Sequence, residues 1–297
     1  MIYKNSPLST IKIEGSKFLV KRDDLLDLRL SGNKARKLQF FLERDFPNIK
    51  NIVSFGGSQS NFMLALSELA ILKGWGFYYY VAPISKFLKS SPRGNFLKAI
   101  NNGMIYQEVE RSYLDINKVR DLYSKHAQTY FFDLGGKQKE CEEGLKQLAS
   151  EIIRYTEDND IKTYSVFLPS GTGASAFYLQ KYLKQGSVKT CACIGNTEYL
   201  VAQMKQLATD DYSELPYIIP TSKKYYFGKL NVDLYNMYIK LINQTGIEFD
   251  LLYDPVGWIT LLDNIEIFYD DEVVIYIHCG GVHGNSSMID RYKHFFA

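Results

Sequence analysis

Short apolar runs alternate with amphipathic segments along most of the chain. Residues 51–55, with Ile52, Val53 and Phe55, are typical of a buried strand, and residues 61–73 predict a helix that Gly74 is expected to end. The same succession continues to a buried strand at 273–277 and a helix at 286–294. Strands and helices that alternate in this way predict an α/β fold, with parallel-rich sheets covered by helices on both faces.

The remaining predicted elements fit the same scheme. At the N-terminal end, residues 10–14 and 17–22 are separated by Gly15-Ser16, which predicts a β-hairpin. Further strands are predicted at 77–81, 104–107, 129–132, 164–168, 188–193 and 217–219. Further helices are predicted at 34–44, 112–126, 139–155, 199–207 and 231–243. One more is expected to start at Ser91-Pro92 and to end at Gly103, and another follows the glycine-rich segment at 170–173 and ends at Tyr182.

Composition is that of an ordinary soluble protein. The 297 residues are 46% hydrophobic and 23% charged, and the net charge of +2 gives no reason to expect nucleic acid or an anionic membrane as a partner. No apolar run is long enough to span a bilayer, and the first residues do not resemble a signal peptide. The four cysteines lack the spacing of a metal site and predict reduced thiols in a cytoplasmic protein.

The stretch from Ser31 to Lys37 carries the first candidate for chemistry. Gly32-Asn33 predicts a turn, and Lys34 falls in the first turn of the helix that follows. The positive end of a helix favours the free amine of a lysine, which is the form that Schiff-base chemistry needs. Taken alone, the stretch slightly favours a surface lysine in a basic patch with Arg36 and Lys37.

Several motifs together resemble one family, the pyridoxal 5'-phosphate (PLP) enzymes that comprise 1-aminocyclopropane-1-carboxylate deaminases and D-cysteine desulfhydrases. The motifs, in the family's order, are Lys21-Arg22-Asp23-Asp24 with Ser31-Gly32-Asn33-Lys34, Gly56-Gly57-Ser58-Gln59-Ser60-Asn61, Ser170-Gly171-Thr172-Gly173, Gln244-Thr245-Gly246-Ile247 with Tyr253, and His278-Cys279-Gly280-Gly281. The resemblance implies a two-domain, fold-type-II architecture similar to that of the tryptophan synthase β-subunit. Residues 1–37 and 133–297 would form the large domain and residues 38–132 the small one, with the cofactor in the cleft between them.

The resemblance also assigns the cofactor's anchors. Lys34 would carry PLP and act as a proton carrier during the reaction. Residues Ser170, Gly171, Thr172, Gly173 and Ala174 would form the cup for the cofactor phosphate. The residues themselves agree, because a strand leads into this loop and a helix leaves it, so backbone N–H groups and the helix start can face an anion. A tight strand-to-helix turn of ordinary α/β type is the alternative.

Two further residues are placed by the motif at 56–61. Asn61 would donate a hydrogen bond to the 3-oxygen of the cofactor ring, and Ser60 would face the substrate. Ser60 could equally be the cap of the helix that follows. Phe62 stands where desulfhydrases often have histidine, which makes this stretch more similar to the deaminases.

The C-terminal motifs supply the remaining candidates. Tyr253 would act on the substrate, and Asp254 would face the ring nitrogen, where an acidic residue is typical of the deaminases and strengthens the ring as an electron sink. In an alternative register, Gly257 and Trp258 would take these two places. Cys279 is expected to pack against the ring, and Tyr225 resembles a second tyrosine of the active site.

The expected reaction converts a small amino acid, 1-aminocyclopropane-1-carboxylate or D-cysteine, to a 2-oxoacid and ammonia, with sulfide as a further product of D-cysteine. The family implies a homodimer. Two alternatives stay open: β-replacement, as in cysteine synthases of the same fold type, and a homologue that binds PLP without turnover.

Overall fold

The structure is a computed structural model of the chain. The residues that the structure describes are 5–27, 29–30, 32–110, 116–123, 128–183, 185–208, 214–268 and 271–296. Within these residues, no helix combines the length and the apolar character needed to cross a bilayer.

The elements follow one another in the alternating order that the sequence predicts. The strands are β1 (Leu8–Ile13), β2 (Ser16–Lys21), β3 (Asn51–Gly56), β4 (Gly76–Val81), β5 (Met104–Glu108), β6 (Thr129–Phe131), β7 (Tyr164–Ser170), β8 (Ser187–Ala192), β9 (Tyr217–Ile218) and β10 (Val273–Ile277). The helices are α1 (Asn33–Glu43), α2 (Asn61–Lys73), α3 (Lys86–Ser90), α4 (Gly94–Asn101), α5 (Ile116–Tyr123), α6 (Glu142–Asp158), α7 (Ala174–Tyr182), α8 (Thr197–Lys205), α9 (Val232–Thr245), α10 (Asp254–Asp263) and α11 (Asn285–Phe296).

The strands form two sheets. The six-stranded sheet has the order β1-β2-β10-β7-β8-β9, and only the β1–β2 hairpin in it is antiparallel. The four-stranded sheet has the order β5-β4-β3-β6 and is entirely parallel. The four-stranded sheet is built only from strands between Asn51 and Phe131, and the six-stranded sheet takes the strands before and after that segment.

Both faces of the six-stranded sheet are covered, as the alternating pattern predicts. Successive residues of a strand point to opposite faces. Val166 and Leu168 join one apolar cluster with α6 and α7, whereas Phe167 between them joins another with α9 and α10. Ile275 and Tyr276 on β10 are divided between the two clusters in the same way. The predicted α/β class, with parallel-rich sheets between helices, is confirmed.

Two local predictions are wrong. A helix was expected to start at Ser91-Pro92, but Ser91 is the residue after α3, and α4 begins at Gly94. The residue before a proline is disfavoured in helical geometry, and Ser91 has φ −139° and ψ 75°. No helix is predicted over residues 254–263, whereas the structure has α10 there, with Pro255 in its first turn, where the missing N–H of proline has no consequence.

The helix predicted at 112–126 lies partly outside the described residues. Within them, residues 116–123 are helical, as α5.

Candidate active site

The start of α1 is fixed to the end of β10. Gly32 precedes α1 with φ 75°, and a Cβ atom there would overlap the carbonyl oxygen of Cys279. The backbone N–H of Asn33 donates to that same carbonyl oxygen at 3.0 Å. Only glycine allows the two segments to approach so closely, so the Gly-Asn turn places Lys34 directly beside the Cys279 segment. Ser31, the first residue of this motif, lies outside the described residues.

Lys34 is held in a partly enclosed position. Its Nζ donates to the side-chain oxygen of Asn33 at 2.6 Å. Burial of the amine lowers the pKa of Lys34, and the nearby Cys279 thiol and Asp250 carboxylate act in the opposite direction. A lowered pKa increases the fraction of free amine near neutral pH, which is the nucleophilic form.

The neighbours of Lys34 on α1 do not form a solvated basic patch. Arg36 is 3% exposed and pairs with Asp23 at 2.7 Å and with Glu151 at 2.8 Å. Glu151 lies on α6 and also pairs with Lys21 of β2 at 2.7 Å. This buried network connects α1 to α6 and to the six-stranded sheet, and it therefore fixes the orientation of the helix that carries Lys34.

The glycine-rich loop lies between β7 and α7. Gly173 precedes α7 with φ 76°, and the first N–H groups of α7 have no acceptor within the helix. Ser175, in the first turn of α7, accepts a hydrogen bond from the side chain of Asn33 at 3.3 Å. This contact joins the loop to the start of α1. The Ser170 hydroxyl accepts from Thr190 of the adjacent strand at 2.7 Å, so it is engaged with the sheet.

A buried lysine that sequence reasoning left unused lies near this loop. Lys37 is 4% exposed, and its Nζ donates to the carbonyl oxygen of Gly135 at 2.8 Å. Gly135 in turn is close to Thr172, since a Cβ atom on Gly135 would lie 3.2 Å from the Thr172 methyl carbon. Burial and the charge of Lys34 lower the pKa of Lys37 to about 7. Within the described part of the chain, Lys37 forms no ion pair.

The motif at 56–61 contacts α4 and the segment between α9 and α10. Ser60 caps α2 by accepting from the N–H groups of Phe62 and Met63 at 3.2 and 3.3 Å. Asn61 donates from Nδ2 to Asp250 at 3.3 Å and accepts at Oδ1 from Asn95 at 2.7 Å. Asn61 therefore faces the segment that contains Tyr253.

Asp250 is the central acid of the cluster, and sequence reasoning did not select it. It is 2% exposed, and one carboxylate oxygen accepts from the N–H groups of Leu252 and Tyr253, both at 2.8 Å. The other oxygen accepts from Asn61. Burial raises the pKa of Asp250 to about 6, although these hydrogen bonds and the charge of Lys34 favour its ionised form.

Tyr253 borders the glycine-rich loop. A Cβ atom on Gly171 would lie 3.3 Å from the Tyr253 hydroxyl oxygen, and burial raises the pKa of that hydroxyl above its usual range. Asp254, the next residue, is fully buried. It accepts hydrogen bonds from the Tyr276 hydroxyl at 2.6 Å and from the Asp250 N–H at 2.8 Å. Burial and the charge of Asp250 raise the pKa of Asp254 well above its ordinary value.

The alternative register would replace Tyr253 and Asp254 by residues of the core. Gly257 and Trp258 lie within α10, and the fully buried Trp258 ring stacks on Tyr276 with ring centroids 4.2 Å apart. Neither residue is near Lys34 or the loop in the contacts that the structure describes.

Tyr225 makes no described contact with Lys34 or with the glycine-rich loop. Its ring packs against the core beside α9 and α10, and its buried hydroxyl has no hydrogen-bond partner among the described residues. Phe227 instead contacts Tyr253, with ring centroids 5.1 Å apart, and is 43% exposed. Cys279 does join the cluster, since its carbonyl oxygen receives Asn33, and burial beside Asp254 raises the pKa of its thiol.

Comparisons with known proteins find relatives over nearly the whole chain. No protein-family model matches the chain. A putative 1-aminocyclopropane-1-carboxylate deaminase of Thermotoga maritima is 23% identical, with 95% of each chain covered. A D-cysteine desulfhydrase of Serratia proteamaculans is 24% identical, with 90% of this chain and 87% of the relative covered. The chain is similar to 1-aminocyclopropane-1-carboxylate deaminases and D-cysteine desulfhydrases.

The fold of this chain is also similar to that of a solved structure. The crystal structure of an ACC deaminase homologue superimposes with a TM-score of 0.78 at 19% identity, covering 97% of this chain and 93% of the other. The resemblance stated from the motifs and the expected fold are therefore confirmed. The domain bounds and the position of the cofactor stay predictions. The roles of the individual site residues stay predictions.

Four residues of the cluster were not predicted from the sequence: Lys37, Asn95, Asp250 and Phe227. Asp250 carried a usable signal, because it lies between two motif elements, Gly246-Ile247 and Tyr253. Asn95 carried none, since its importance depends on the approach of α4 to the start of α2.

Proposed function

We propose that the protein is a PLP-dependent enzyme that converts a small amino acid, 1-aminocyclopropane-1-carboxylate or D-cysteine, to a 2-oxoacid and ammonia. One observation carries the proposal. The partly enclosed amine of Lys34, with its lowered pKa, lies on a helix start that contacts both Cys279 and the first turn of α7. An amine in this position, beside a loop suited to a phosphate, fits an aldehyde cofactor with a phosphate tail.

The residues present fit the phosphate of PLP. The loop from Ser170 to Ala174 offers backbone N–H groups at a helix start, where an anion is stabilised. The buried Lys37 amine donates to Gly135, which packs beside Thr172, and within the described residues no carboxylate pairs with it, so it could hold a positive charge opposite a phosphate. A phosphate would complete this site, because a buried cation is otherwise unfavourable.

Side chains on the other side of Lys34 suit the ring of the cofactor. The Asn61 amide nitrogen can donate to a ring oxygen, and Cys279 can pack against the ring. Burial favours the neutral form of Asp254, and a cationic ring nitrogen beside it would favour the carboxylate, which would in turn stabilise that charge. When bound, PLP supplies an electrophilic carbon and an electron-withdrawing ring that stabilises negative charge on the substrate. The Asp254 carboxylate is already oriented by Tyr276, so its position would not change on binding.

The remaining residues would act on the substrate. The Lys34 amine is placed to accept and return a proton, and the Tyr253 hydroxyl, whose pKa is raised, stays protonated and can donate. Ser60 would bind the substrate carboxylate while it caps α2. Phe227 shields the Tyr253 ring and would limit the size of the substrate.

The domain division belongs to the same proposal. We place residues 1–37 and 133–297 in the large domain and 38–132 in the small one, which agrees with the separation of the strands into two sheets. A cytoplasmic homodimer with the cofactor between the domains completes the proposal.

The proposal is tested with purified protein supplied with PLP. Incubation with each substrate should release ammonia and a 2-oxoacid, and sulfide from D-cysteine. Lys34→Ala should abolish the activity, and Lys86→Ala on α3, whose side chain is exposed, should retain it. Absence of product from both substrates contradicts the proposal. Product that forms only when an external thiol is added would instead indicate β-replacement.

A further inference from the structure

Asn95, at the start of α4, is fully buried and connects two residues of the candidate site motif. Its backbone N–H donates to the side-chain oxygen of Gln59 at 3.0 Å. Its Nδ2 donates to the backbone carbonyl of Gln59 at 3.0 Å and to Oδ1 of Asn61 at 2.7 Å. Asn61 then donates from its own Nδ2 to Asp250.

These contacts determine which way each amide faces. A backbone carbonyl only accepts, so the carbonyl of Gln59 requires the nitrogen of Asn95 on its side. The same nitrogen reaches Asn61, which must therefore present its oxygen to Asn95 and its nitrogen to Asp250. Turning either amide by half a rotation would set oxygen against oxygen or nitrogen against nitrogen and lose hydrogen bonds.

The arrangement has an unfavourable side. The Oδ1 atom of Asn95 is buried and has no hydrogen-bond partner among the described residues. A buried acceptor without a donor lowers stability, and an apolar side chain of similar size would avoid that loss. The donor function of Asn95 toward Asn61 is the feature that an apolar residue could not supply.

We propose that Asn95 is a positioning residue that holds the Asn61 amide with its nitrogen turned toward Asp250 and the cofactor. One of the two Asn61 amide protons goes to Asp250, and the other is left for the ring oxygen of PLP. The inference rests on the proposed function, because it takes PLP as the group that Asn61 meets.

The test uses Asn95→Asp, which keeps the shape but offers no donor, and Asn95→Ala as a second variant without a new charge. The dissociation constant of PLP and the pH midpoint of the visible absorption of the bound cofactor are measured. We expect PLP to bind about fivefold more weakly, since one neutral hydrogen bond is lost, and the midpoint to move by about half a pH unit or more. In an Asn61→Ala background, the same Asn95 substitutions should have no further effect.

Asn102→Ala is the matched control. Asn102 also links α4 to α2, by donating to Ser67 at 3.0 Å and to Glu68 at 2.7 Å. Its loss should lower thermal stability without moving the pH midpoint. Effects of Asn95 substitution that persist in the Asn61→Ala background, or that Asn102→Ala reproduces, overturn the positioning role alone. Failure of the unsubstituted protein to bind PLP overturns the proposed function together with it.

Discussion

Replacement of Lys37 by methionine tests the proposed phosphate site most sharply. Methionine keeps much of the length and apolar surface of the lysine stem but removes the ammonium group. In the structure that group is buried and donates to the carbonyl of Gly135, a residue that packs beside Thr172 of the glycine-rich loop. A hydrogen bond to a charged group contributes about 1.5–3 kcal/mol. Its loss therefore corresponds to a dissociation constant for PLP that is about 10- to 150-fold higher.

The assay compares PLP with pyridoxal, which lacks the phosphate. We expect Lys37→Met to weaken PLP binding within that range and to leave pyridoxal binding nearly unchanged. Lys73→Met is the control, because Lys73 also donates to backbone carbonyls, those of Leu42 and Arg44, and Arg44 lies immediately after α1. Equal weakening for PLP and pyridoxal would refute a phosphate role for Lys37.

The pH dependence of stability gives a second readout of the same side chain. The pKa of Lys37 is about 7 in the folded protein, below its ordinary value of 10.5. Between these values the unfolded chain binds more protons, so the free energy of unfolding rises with pH. Without cofactor, urea unfolding should show a steeper rise from pH 7 to about pH 9.5 in the unsubstituted protein than in Lys37→Met. Identical slopes would contradict the burial of a free amine.

Three further substitutions have distinct expected outcomes. Tyr253→Phe should lower kcat with little change in the dissociation constant of PLP, because only the hydroxyl is removed; an unchanged kcat would exclude Tyr253 from proton transfer. Phe227→Ala should raise KM more than it lowers kcat, since it removes the ring that packs on Tyr253, and steady-state kinetics with both substrates checks this. Arg36→Met removes the only cation paired with Asp23 among the described residues and leaves Glu151 paired with Lys21 alone, so it should destabilise the protein by about 3–5 kcal/mol in urea unfolding; a change under 1 kcal/mol would contradict the network.

The fold could be predicted from the sequence where burial is regular along the chain. Strand β7 is buried at all seven positions and has the apolar centre Val166-Phe167-Leu168, and β10 is apolar throughout and buried at four of its five positions. Helix α10 was missed because its first residues, Asp254 and Pro255, are typical of turns as well as of helix starts. The helices α3 and α4 are separate because Pro92 disfavours helical geometry at Ser91. The same Ser-Pro pair is also typical of a helix start, so the sequence alone did not reveal the break.

The candidate site was predictable only where a residue lies within a local motif. Lys34 and Cys279 are separated by almost the whole chain, so the spacing of residues in the sequence does not predict that they lie close together. The family resemblance implied their proximity. The burial of Lys37 and the contact of Phe227 with Tyr253 depend on how distant segments pack. A sequence pattern reports the period of a helix or strand, but it does not report which segment covers its face.

Borohydride reduction of the protein with bound PLP, followed by peptide mapping, tests the central claim most directly. The account predicts a single stable pyridoxyl label on Lys34, because its amine has a lowered pKa and lies beside the proposed phosphate loop. Protein without the label, or a label on another lysine such as Lys37, would contradict it.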